Sequence, residues 1–183
     1  MSERGRALIV YETMFGNTER IARAIRDGLR RYVAADTVPV NRAPDVVPGD
    51  VRLLVVGGPT HAFSMSRLST RQGAVQQADV VMPIEVGIRE WLGALERADG
   101  SRPDDLRVTT FDTRIAKVRH LPGSAARSAA KLLRRMGYRM LGTSESFFVS
   151  DTTGPIRDVE LERARRWGEE LGRLLTGSAR AAG

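Results

Sequence analysis

Residues 7–18, ALIVYETMFGNT, constrain the fold more than any other stretch of the chain. The first five are a short, wholly apolar run, the pattern of a strand buried on both faces of a parallel sheet. The apolar run gives way to Thr13, Gly16, Asn17 and Thr18, and then to a helical pattern from about residue 18 to 33. Gly16 permits close backbone approach, and Asn17 and Thr18 are residue types that cap helices. Such a strand–loop–helix junction aims unpaired N–H groups and the positive end of a helix dipole at one spot, which suits a phosphate. Helix capping alone accounts for the same residues without a ligand.

The remaining pattern repeats the unit. Apolar runs at 51–57 and 106–112 read as central strands, and a last strand lies within 144–150. The segment 37–41 carries Pro39 and belongs at a sheet edge, because proline cannot donate to the ladder. Helical stripes follow at 85–98, 124–136 and 159–176, with Trp91 and Trp167 on their apolar faces. A βα unit recurring about five times predicts a doubly wound α/β fold, with a five-stranded parallel sheet in the order 2-1-3-4-5 and helices on both faces. One domain is expected over 1–183, with a core from about 6 to 176 and a frayed tail at 177–183. Residues 64–84 are polar and weakly patterned, and read as an excursion that covers the site. The loops 12–18, 58–66 and 112–122 all follow strand C-termini and are expected to converge, since ligands of such sheets bind there.

Composition removes several classes of function. Cysteine is absent, so disulfides, thiolate metal sites and cysteine nucleophiles are excluded. His61 and His120 lie far apart, and no metal site is expected. No catalytic triad or nucleophile motif is found. No apolar run is long enough for a membrane span, and the N-terminus leads straight into a strand, so a cytoplasmic protein is expected. The net charge of +7 comes almost wholly from arginine, since Lys117 and Lys131 are the only lysines. The arginines fall on polar helix faces without interleaved aromatics, which reads as solvation rather than nucleic-acid binding.

The first loop has no lysine at Walker A spacing and no G-x-G-x-x-G, so neither a P-loop nucleotide nor an ordinary dinucleotide is expected. What remains is a cradle of backbone N–H groups and threonine hydroxyls for a singly phosphorylated ligand.

The segment YETMFGNTE resembles the phosphate loop of flavodoxin-like proteins, which most often ends in TGNT. Met-Phe in its middle is closer to the flavodoxin-like quinone reductases, whose loop reads roughly SMYG. VGGPTHAF resembles the family's second flavin loop, and FFVSDTTGPI the end of its sheet; the similarity covers most of 6–176. The resemblance implies an FMN site. Thr13, Met14, Phe15, Gly16, Asn17 and Thr18 would wrap the phosphate. Pro59, Thr60, His61 and Ala62 would line the isoalloxazine, with Phe63 either covering its edge or anchoring the loop. Asp112, Thr113 and Arg114 would face it from the other side, although Asp112 also reads as a turn or capping residue. The chain departs from the family in having His61 where a ring-stacking tryptophan is expected, no Tyr or Trp in 112–122, and a basic rather than acidic balance. The resemblance implies an electron-transfer flavoprotein with a redox partner protein. The alternatives are an FMN-dependent NAD(P)H:quinone oxidoreductase, or a flavodoxin-fold interaction module that has lost FMN. Oligomeric state is left open.

Overall fold

The computed structural model describes residues 5–83, 85–98 and 102–181, with side chains through Gly177. Its centre is β1 (Arg6–Tyr11), flanked on one side by β2 (Ala35–Pro39) and on the other by β3 (Val51–His61), both parallel to it. Next to β3 runs β5 (Arg107–Ile115), also parallel. The fifth position is filled by two short strands, β6 (Arg139–Met140) and β7 (Glu145–Val149), which pair with the first and second halves of β5. Counted as one broken strand, they complete the expected 2-1-3-4-5 order. The break falls at residues 141–144, where Gly142 takes a left-handed conformation. A short antiparallel strand, β4 (Ser64–Met65), folds back on the end of β3 and was not foreseen from the sequence.

Side-chain alternation along the central strands builds two cores. Ala7, Ile9, Leu53 and Val55 face α1 (Asn17–Leu29) and α5 (Asp158–Ala181). Leu8, Val10, Leu54 and Val56 face α3 (Ile88–Arg97) and α4 (Ala125–Arg135). A strand buried on both faces must be apolar at every position, and this is why the two runs stood out in the sequence. On the first face Phe111, Phe147 and Trp167 meet edge to face, with ring centroids 6.0–6.4 Å apart. On the second, Trp91 is buried and its indole N–H donates to the Pro44 carbonyl at 2.9 Å. Both tryptophans are core residues.

Several boundaries differ from expectation. The edge strand ends at Pro39, as the missing N–H requires. The strand β3 runs to His61, so Pro59, Thr60 and His61 are strand residues rather than loop. Thr113 and Arg114 likewise belong to β5. Within the excursion the polar stretch forms the short helix that its sequence allows, α2 (Leu68–Val75). The last helix is assigned as far as residue 181, and the Thr176 hydroxyl donates to the Gly172 carbonyl at 2.9 Å. Residues 182–183 of the tail, Ile84 of the excursion and residues 99–101 lie outside the described residues.

Helices α1 and α5 cross at two glycines. A Cβ added to Gly28 would lie 2.0 Å from the Arg165 carbonyl oxygen, and one on Gly168 would lie 2.2 Å from that of Ile25. Backbone cannot rotate away as a side chain can, so overpacking outweighs the roughly 1 kcal/mol that alanine gains over glycine in a helix. A Gly28→Ala chain is expected to lose about 1–3 kcal/mol of stability, read as a lower urea midpoint at unchanged slope. Unchanged or higher stability would contradict the close crossing.

Candidate functional site

Parallel pairing places the C-terminal ends of β1, β3 and β5 side by side, with Tyr11 opposite Gly57 and Pro59 opposite Thr113. Beyond these ends lies a cleft of about 240 Å³. Its walls include Thr13, Met14, Phe15, Asn17 and Thr18 from the first loop, Pro59, Thr60, His61 and Ala62 from the end of β3, and Thr113 and Ile115 from β5. The three loops therefore converge. The helix α2 adds Thr70 and Ala74, the turn after it adds Gln77, and Val149 and Thr152 complete the lining. No lining residue is acidic.

The first loop is a wound turn. Gly16, left-handed at φ 86°, is the residue before α1, and its N–H donates to the Thr13 hydroxyl at 3.0 Å. Asn17 and Thr18 are thus the first helical residues rather than the cap. Their N–H groups and that of Glu19 have no partner within the helix, as in any first turn. The Asn17 side chain donates to the Thr153 carbonyl at 3.1 Å, tying the first loop to the loop after β7. The Thr18 and Thr113 hydroxyls, both buried, lie 2.8 Å apart. Only one hydrogen can lie between them, so the other remains to donate elsewhere.

The excursion is fastened over this loop. Val81 donates to the Met14 carbonyl at 2.9 Å, and the Thr13 N–H meets the Met82 sulfur at 3.3 Å. Beneath it sits a buried polar cluster that the sequence reading missed. The Glu12 carboxylate accepts from the Ser66 hydroxyl and from the Ile88 N–H at 2.8 Å. The fully buried Arg71 guanidinium donates to Ser66 at 2.8 Å and pairs with Glu90 at 3.1 Å. Burial raises the Glu12 pKa above its ordinary value. A glutamate between an apolar run and a threonine, and an arginine in a polar stretch, carry no local signal of this cluster, in which Ser66 joins the two across 59 residues of sequence. Its effect is to hold α2 against the cleft.

Four expected site residues do not line the cleft. Gly16 shapes the turn. Phe63 is half exposed in the β3–β4 turn, where it and Ala62 take positive φ values of 65° and 45°. This is the two-residue hairpin geometry, in which both central residues are left-handed. Asp112 is buried under α4. Its Oδ2 accepts from the Thr60 hydroxyl at 2.8 Å, the Ser124 hydroxyl at 2.5 Å and the Ala126 N–H at 3.1 Å. It is a capping residue, as its alternative reading held. Thr60 completes the same cap by accepting from the Ala125 N–H at 2.9 Å, so its hydroxyl is committed away from the cleft. Arg114 turns toward the loop that follows it and donates to the Leu121 carbonyl at 3.0 Å.

Burial, and secondarily the positive charge of Arg71, hold the His61 pKa below its ordinary 6.5. The unfolded chain therefore takes up a proton near pH 6.5 that the folded chain refuses, and His61 subtracts stability as pH falls through that value. Glu12 acts in the opposite sense, its contribution growing on acidification, so the comparison must isolate His61. Urea unfolding at about pH 7.5 and about pH 5.5 is expected to show a smaller drop in stability for His61→Gln than for the parent. Equal drops would contradict a depressed His61.

No family model matches the sequence, and no curated protein matches it by sequence. Solved structures do match it in three dimensions. An archaeal flavodoxin superposes with a TM-score of 0.63 at 15% identity, covering 93% of this chain and 99% of that one. Flavodoxin 1 from Bacillus cereus gives 0.64 at 14% identity, covering 91% and 97%. A flavodoxin from Streptococcus pneumoniae gives 0.62 at 16% identity, covering 91% and 97%. At these identities the likeness is one of fold, and it extends over nearly the whole of each chain. By strand order, helix placement and superposition, the chain has a flavodoxin-like fold.

Proposed function

We propose that the cleft binds FMN and that the chain is an electron-transfer flavoprotein. The observation that carries the reading is the pairing of Thr18 with Thr113 beside the first turn of α1. Two buried hydroxyls with one surplus hydrogen, next to unpartnered helix N–H groups and no carboxylate, form a site that accepts an anion and has nothing else to satisfy it. Thr152 and Asn17 widen the same end of the cleft with further donors. Met14, Ile115 and Val149 add apolar surface to the lining, and Pro59 to Ala62 add backbone edges for a flat heterocycle.

Bound FMN supplies the electron chemistry itself, and the protein supplies placement and electrostatics. Asn17, Thr18 and Thr113 hold the phosphate end. His61, neutral at physiological pH, offers one N–H donor and one acceptor nitrogen at the ring end. Arg71, buried behind the cleft and close enough to His61 to depress its pKa, adds positive charge without entering the site.

A second reading, FMN-dependent reduction of a quinone by NAD(P)H, is favoured by α2. Its Thr70 and Ala74, with Gln77 beyond it, raise a wall beside the cleft where a second substrate has something to lie against. Bleaching of bound flavin by NADPH with quinone turnover supports this reading, and inertness to both pyridine nucleotides supports the carrier.

Titration of the flavin-free chain with FMN, followed by flavin fluorescence, is expected to saturate. Thr18→Val is expected to weaken FMN by about 1–2 kcal/mol, or roughly 5- to 30-fold in Kd, and to leave riboflavin, which lacks the phosphate, unchanged. Absence of saturable FMN binding by the folded parent chain refutes the proposal, and an equal loss for riboflavin refutes the role of Thr18.

A further inference from the structure

The positive charge of this chain is not spread evenly. Residues 113–144 contain eight Lys and Arg and no Asp or Glu. Elsewhere the arginines are interleaved with acids: Arg23 pairs with Glu19, Arg31 with Glu169, and Arg165 with Glu162. On α4 the pattern stops. Arg127, Lys131 and Arg135 follow each other at four-residue spacing on its exposed face, and Lys117 and Arg119 stand exposed on the segment after β5. None of these five forms an ion pair among the described residues.

The helix does not explain this arrangement. Like charges four residues apart disfavour a helix. Arg134 and Arg135, in the last turn, complement the negative end of the dipole, but Arg127 sits in the first turn, where a cation faces the positive end. The face therefore lacks the compensation that α1 and α5 have built in.

Its position is as informative as its charge. The first turn of α4 abuts the cleft wall, with the Ala125 N–H bonded to Thr60 and Ser128 to Ser64 at 3.1 Å. At this rim stand two exposed apolar side chains, Phe63 and Leu121, and Phe63 packs against Gly123. Apolar groups beside a field of unpaired cations have the anatomy of a protein interface. A protein is favoured over nucleic acid because Phe63, the exposed aromatic at this surface, stands with the aliphatic Leu121 at the rim and not within the cationic stripe. Tyr138, beyond the end of α4, is covered by the Arg102 guanidinium at 4.4 Å.

We propose that the outer face of α4, with the rim at Phe63 and Leu121, is a docking surface for an acidic protein. The cations steer an acidic partner, and the apolar rim brings it to the mouth of the cleft. In making that partner one that exchanges electrons, the proposal rests on the FMN reading; the surface itself rests on charge and exposure.

The test is a binding titration of the full chain, with and without added FMN, using an oxidised plant-type [2Fe–2S] ferredoxin as the acidic probe. Binding is expected to saturate at about 20 mM salt and to weaken by about tenfold or more at about 200 mM. Arg127→Glu with Lys131→Glu is expected to weaken it by about tenfold or more. Arg97→Glu with Arg173→Glu makes the same change in net charge on exposed sites at other helices, and is expected to change it by less than about twofold. Equal losses in the two double variants overturn the proposal, because net charge alone then suffices. No saturable binding at low salt overturns it, as does tighter binding of a short DNA duplex than of the ferredoxin. A chain that docks through Arg127 and Lys131 yet takes up no FMN refutes the flavin reading and keeps the surface.

Discussion

The arrangement depends on the parallel pairing of β3 with both of its neighbours. Parallel strands all end at the same edge of a sheet, and the register of β1, β3 and β5 is tight enough that Thr13, Pro59 and Thr113 arrive within one cleft. Burial on both faces enforces that register. A slip of one residue would exchange the sets Ala7, Ile9 and Leu8, Val10 between two differently shaped cores. Gly57 adds a steric lock, because a Cβ there would lie 2.1 Å from the Phe111 ring. The site is thus a consequence of the core.

What was legible in the sequence was whatever has a local period or a local turn. The central strands, the apolar stripes of the helices, the edge position of the proline strand and the loops at strand ends all carry such signals. What was not legible depends on distant partners. Glu12 and Arg71 meet only because the chain returns over the first loop, and neither has a neighbour in sequence that announces it. The β4 hairpin was invisible because its turn uses Ala62 and Phe63, where glycine or asparagine is the usual sign. Asp112 and Arg114 were placed at the cleft by the family resemblance. In the fold, Asp112 turns under α4 and Arg114 toward Leu121, since successive strand residues point to opposite faces. Phe15 and His61 are the aromatic side chains in the described lining of the cleft, which holds no Tyr or Trp.

Electrostatics runs through both halves of the account. The cleft is lined without a carboxylate and is backed by a buried arginine. The two buried carboxylates near it are already engaged, Glu12 by Ser66 and Ile88, and Asp112 by Thr60, Ser124 and Ala126. Outside, acids interleave with arginines on α1 and α5 and vanish along α4. Paired exposed charges contribute little to stability, on the order of 0–1 kcal/mol, so the two kinds of helix differ less in how they hold the fold than in what they present to solvent.

The central claim is that the first turn of α1 and the hydroxyls of Thr18 and Thr113 receive the phosphate of a flavin. The most direct measurement is an amide ¹H–¹⁵N correlation spectrum of the chain recorded with and without FMN. The account predicts that the largest shifts fall on the amides of Asn17, Thr18 and Glu19, with smaller ones along Pro59-flanking residues and Thr113. Shifts confined to another face, or a spectrum unmoved by FMN, would contradict it.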